Sequence, residues 1–136
     1  MQPSESHFNS LVAMFRAFAP QECERWTYLL SQNPSKWAKI SPIRIWPVAS
    51  AFDSAPNIPL PEMLLLPALA PHADRESVVL RCGHSKNPGT SLCTARDALQ
   101  TGRRSYEVVF EGFVSVLPGK LALGFNHEGG VCVFGA

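Results

Sequence analysis

Phe8, Leu11, Val12, Phe15 and Phe18 recur near the start of the chain at the spacing of one helix face. Pro20 interrupts that pattern and suits the first turn of a following helix, where its missing N–H costs nothing. Glu22 and Glu24 then fall beside a positive helix end. Cys23, Trp26, Leu29 and Leu30 form a second apolar face, and Asn33-Pro34 stops it. The pattern predicts two helices, about residues 6–18 and 20–32, packed as a hairpin or an L.

The middle of the chain has another texture. Pro42, Pro47, Pro56, Pro59, Pro61, Pro67 and Pro71 forbid a long helix or a central strand there. The interleaved Val48, Phe52, Ile58, Leu60, Met63, Leu64, Leu65, Leu66 and Leu69 make the stretch too apolar for a linker. It reads as an ordered segment wrapped over the core, with Ile43-Arg44-Ile45-Trp46 as a short edge strand.

Beyond it, Ser77-Val78-Val79-Leu80-Arg81-Cys82 is β-branched and apolar, hence a strand. Residues 83–89 read as a loop. Thr90 or Ser91 is placed to cap a helix with Leu92, Ala95 and Leu99 on its apolar face and Gly102 just past its end. Tyr106, Val108, Phe110, Val114 and Val116 alternate with Glu107, Glu111 and Ser115, as in a half-buried strand. Gly112 within it marks a bulge or the close approach of another backbone. Leu117-Pro118-Gly119-Lys120 is a turn, Leu121, Leu123 and Phe125 a strand, Asn126-His127-Glu128-Gly129-Gly130 a second turn, and residues 131–134 the last strand of a three-strand meander. The expected fold is α+β: two N-terminal helices and one later helix against one face of a mainly antiparallel sheet, with a strand–helix–strand crossover between residues 77 and 110. No internal repeat or boundary divides residues 1–136, so a single domain is expected.

Composition narrows the functions more than the fold. The chain has 136 residues, a size that builds a core without disulfides or metals. Apolar residues are 46% and charged residues only 17%, which argues against disorder and leaves uncharged surface for a partner or a second copy. The formal net charge of +1, with Arg103-Arg104 as the single basic doublet, speaks against nucleic acid. No apolar run reaches the ~20 residues of a membrane span, so no membrane is expected. The four cysteines, Cys23, Cys82, Cys93 and Cys132, follow a start without a secretory pattern. Free thiols in a reducing, cytoplasmic location are expected.

No nucleotide-binding glycine motif, phosphate loop, nucleophile elbow or metal-binding pair is present in the sequence, and no cofactor is expected. The richest local chemistry is Cys82-Gly83-His84-Ser85-Lys86-Asn87-Pro88-Gly89-Thr90-Ser91. Read as strand–loop–helix, it points His84, Lys86, Thr90 and Ser91 at a helix N-terminus, a place that binds anions. His72, Cys82, His84 and Cys93 are zinc-type donors without a familiar spacing. Cys82 or Cys93 with His84 or His127 would make a nucleophile and base, Cys93 favoured by its nearness to that helix start. Trp37 and Trp46, in irregular chain, are candidate anchors for a partner protein. The expected function is a small non-catalytic protein-binding module, immunity-like or regulatory, neutralising or regulating a partner such as a toxin. The alternative is a small enzyme or anion- or metal-ligand-binding domain using the 82–91 stretch, and a homo-oligomer fits either.

Overall fold

Ser4 starts the first helix: its hydroxyl accepts the His7 N–H, and α1 then runs Glu5–Phe18. Glu5 in the first turn and Arg16 in the last oppose the helix dipole favourably. Leu11, Met14 and Phe15 are buried, with Phe8 and Phe18 packed beside them, so the periodic face points into the core. The computed structural model describes residues 4–40, 65–82, 88–102, 111–125 and 131–135.

The second helix, α2, spans Cys23–Leu30 and buries Trp26, Leu29 and Leu30. It is shorter at both ends than its pattern predicts. Pro20 stays in the preceding turn, and the chain re-forms after Asn33 as a 3-10 helix, Pro34–Lys39, opened by its own proline. That short helix carries Trp37 into the core.

Five strands follow: β1 (Glu76–Arg81), β2 (Gly89–Thr94), β3 (Gly112–Leu117), β4 (Leu121–Phe125) and β5 (Val131–Gly135). Helix α3 (Ala95–Gly102) lies between β2 and β3 in sequence. The sheet order is β2-β1-β3-β4-β5, and every neighbouring pair is antiparallel. The α+β fold with a C-terminal meander is therefore present. β2 and β3 both run against β1, so they are parallel to each other, and the chain crosses from one to the other through α3 with β1 between them. The crossover expected from the strand at residues 77–82 is not formed, because β1 and β3 are antiparallel; the strand–helix–strand connection starts from β2 instead.

The helices cover both faces of the sheet, which corrects the expectation of one covered face. Strands β3 and β4 are buried at almost every position. α1, α2 and the 3-10 helix pack on Val78, Leu80, Cys82, Phe113 and Ala122. On the other face, Ala95, Ala98 and Leu99 of α3, with Leu69, pack on Val79, Val114, Leu123 and Phe125. The alternation in β3 thus separates two interiors. Glu111 and Ser115, expected at the surface, are 1% and 2% exposed. In the first interior, Phe15, Trp26 and Phe113 form a mutual ring cluster with centroids 5.2, 5.8 and 6.2 Å apart. Such pairs contribute about 0.5–1.5 kcal/mol each beyond burial.

The turn between β3 and β4 follows its residues. Lys120 N–H donates to Leu117 O at 2.8 Å, and Gly119 takes a φ of +73°, the left-handed corner that only glycine enters without strain. Among the described residues no helix is long and apolar enough to cross a membrane.

Candidate functional site

The stretch expected to form strand, loop and helix forms two paired strands instead. β2 occupies residues 89–94, in register with β1 from Glu76 opposite Thr94 to Arg81 opposite Gly89. Thr90 and Ser91 are half-buried strand residues, and neither caps a helix. The cap is Thr94, whose hydroxyl accepts the Asp97 N–H at 3.1 Å at the start of α3. The anion reading loses the helix terminus it relied on. Ser91 is occupied by Arg81, whose Nη1 donates to its hydroxyl at 3.0 Å. His84 and Lys86 lie outside the described residues, as does Trp46. Trp37 is 1% exposed and belongs to the core, so it presents no surface to a partner.

The cysteines do not come together. Cys82 belongs to the interior under α1 and α2, whereas Cys93 packs against the interior under α3, so the sheet lies between them. Burial, and after it the charge of Glu111, pushes the Cys82 thiol well above its ordinary range. Burial and then Asp97 raise Cys93 as well, with Arg81 pulling weakly the other way. Both thiols are held protonated, and a protonated thiol is a poor nucleophile. The favoured reactivity of Cys93 therefore has no support: it precedes the cap of α3 and takes no benefit from the helix end.

A different site emerges where α1 crosses the sheet. α1 stands over β1 and β3, anchored by the Ser10 and Ser115 hydroxyls 2.9 Å apart. Beside it opens a cleft of about 250 Å³. Ser6, His7 and Ser10 of α1 form one wall, Glu76 and Val78 of β1 with Ser115 and Val116 of β3 the floor, and Leu92 of β2 and Pro118 the rim. Leu92 is 45% exposed. The register explains why: Leu92 sits opposite Val78, on the α1 face, one strand beyond the cover that α1 provides.

The lining sets what the cleft can do. Ser10, His7 and Glu76 are the residue types of a hydrolytic triad. Yet among the described residues no hydrogen bond joins His7 to Ser10 or Glu76, and the Ser10 hydroxyl is spent on Ser115. What remains is a shallow surface of hydroxyls, one imidazole and one carboxylate beside Val78, Leu92 and Pro118. The lining is thus mixed, apolar groups beside hydrogen-bonding ones.

Sequence reasoning missed this site because it unites positions far apart in the chain and assigns Leu92 to a buried helix face. One signal was present: Gly89-Thr90-Ser91-Leu92-Cys93-Thr94 holds no strong helix former except Leu92. No protein-family model matches the chain, and neither the characterised proteins nor the solved structures include a significant match.

Proposed function

We propose that this chain is a small non-catalytic protein-binding module, and that an extended segment of the partner protein lies in the cleft between α1 and β2. The observation that carries this reading is Leu92: a large apolar side chain, 45% exposed, on an edge strand beside a cleft of mixed lining. A regulator or neutraliser of its partner, such as a toxin, is the form of this role that suits a near-neutral chain of 136 residues. All four cysteines are free thiols, which fits a cytoplasmic location.

The test is affinity capture from native cells with the parent and with Ser6→Arg, which places a long cationic side chain on the exposed wall of the cleft. One stoichiometric partner held by the parent and lost by the variant supports the reading. Equal recovery with both, or none with either, removes the cleft as the binding site.

A further inference from the structure

We propose that a second copy of this chain pairs antiparallel along β2, with the two-fold axis at Leu92, so that each copy supplies residues to the cleft of the other. Three observations carry this. First, the exposed large apolar residues among the described ones are Tyr28, Leu65 and Leu92, and of these Leu92 alone is on a strand. The other edge, β5, turns its one large ring inward: Phe134 packs on Phe18, ring centroids 6.0 Å apart.

Second, β2 is complementary to itself. A two-fold interface requires that when one residue faces a second, the second faces the first across the axis. With the axis at Leu92, that residue meets Leu92 of the second copy, Ser91 meets Cys93, and Thr90 meets Thr94. Residues directly opposite in an antiparallel pair share a face, and these pairings obey that rule. The strand Thr90-Ser91-Leu92-Cys93-Thr94 reads nearly the same in both directions: β-branched against β-branched, small against small, leucine on the axis. Third, an interface between identical chains places like charges together, and residues 89–94 have no charge to repel. The whole chain carries only +1.

The geometry of the pair follows from the register. Thr90, Leu92 and Thr94 lie on the α1 face with Val78. Both α1 helices therefore stand on the same side of the joined sheet. Between the two β1 strands lies a floor about 14 Å wide, three strand spacings of ~4.8 Å. Each cleft, open at the Leu92 rim in one copy, continues onto Thr90 and Leu92 of the other. The use of this joined groove for a partner rests on the binding reading above; the pairing itself does not.

The experiment is sedimentation equilibrium on the parent, on Leu92→Lys, on Leu92→Glu, and on an equimolar mixture of the two variants. The parent is expected near twice 14.9 kDa. Each variant is expected to dissociate already at about tenfold higher concentration, or to be monomeric throughout, because like charges meet on the axis. The mixture is expected to recover the dimer, since Lys then faces Glu. Circular dichroism matching the parent confirms that these exposed substitutions leave the fold intact. A monomeric parent overturns the pairing, as does a mixture no more dimeric than its components. Failure here while Ser6→Arg still abolishes partner capture leaves the binding reading standing; failure of both removes both.

Discussion

Gly112 of β3 lies so close to the backbone of β1 that a Cβ at position 112 would overlap the Leu80 carbonyl oxygen. Nothing flexible is in the way, because the neighbouring atoms are Leu80 and Arg81 backbone. β1 and β3 hold the centre of the sheet, with Arg81 opposite Gly112. Gly112→Ala must therefore push two central strands apart at that end. Overpacking of this kind costs about 1–3 kcal/mol, and a backbone obstacle puts the expected loss at the upper end. Urea denaturation of the variant checks it; a stability equal to the parent's would mean the strands separate there without cost.

Thr94 caps α3, whereas Thr90 is an ordinary strand residue. Thr94→Ala leaves the Asp97 N–H without its acceptor and is expected to lower stability by about 0.5–2 kcal/mol. Thr90→Ala is expected to cost a few tenths of that, through β propensity alone. The two thermal melts side by side locate the helix start. Reversed effects would restore the earlier start that the sequence pattern suggests.

That contrast shows where the fold is legible in the sequence. Leu11 and Phe15 announce α1, because their periodicity coincides with local preference and with burial. Pro118 and Gly119 announce their turn, because its geometry demands those residue types. Leu92, Ala95 and Leu99 mislead: their spacing of three and four mimics a helix face that begins at Thr90. Pairing with β1 overrides that pattern up to Thr94, and the buried face of α3 is Ala95, Ala98 and Leu99. Glu111 and Ser115 mislead in another way, since alternation cannot tell a solvated face from a second interior. Of the residues nominated for binding, Trp37 is buried in a 3-10 helix opened by Pro34, a short element without a periodic signature. The cleft was unreadable for a plainer reason: Ser10 and Ser115 meet across 105 positions.

The Ser10 and Ser115 hydroxyls form the polar tie between α1 and the sheet, at 2.9 Å and partly buried. Ser115→Ala leaves the Ser10 hydroxyl without this partner, whereas in Ser10→Ala the Ser115 hydroxyl keeps only a long contact to the Ser10 carbonyl oxygen, 3.5 Å; each is expected to cost about 0.5–1.5 kcal/mol. The double variant is expected to cost less than the sum, since no orphan hydroxyl then remains. Chemical denaturation of the three proteins gives the coupling. Strict additivity would show that the two hydroxyls do not depend on one another.

Cys82 is fully buried, and desolvation, with the Glu111 charge second, raises its thiol well above the ordinary range. Burial raises Cys93 and Cys132 too. The folded state holds these protons more tightly than the unfolded chain does. The resulting stability is whole below the unfolded thiol value of ~8.5 and is lost progressively as pH rises from there through the folded values. The urea midpoint is therefore expected to fall on the alkaline side, and to fall less steeply in Cys82→Ala, whatever that variant loses at neutral pH from its cavity. Iodoacetamide is expected to reach Cys82 only in denaturant, because neither thiolate nor access exists in the fold. Identical alkaline slopes for parent and variant would remove Cys82 as a cause, and rapid native labelling at that position would show that the interior opens at the strand end where Cys82 N–H meets Glu111 O.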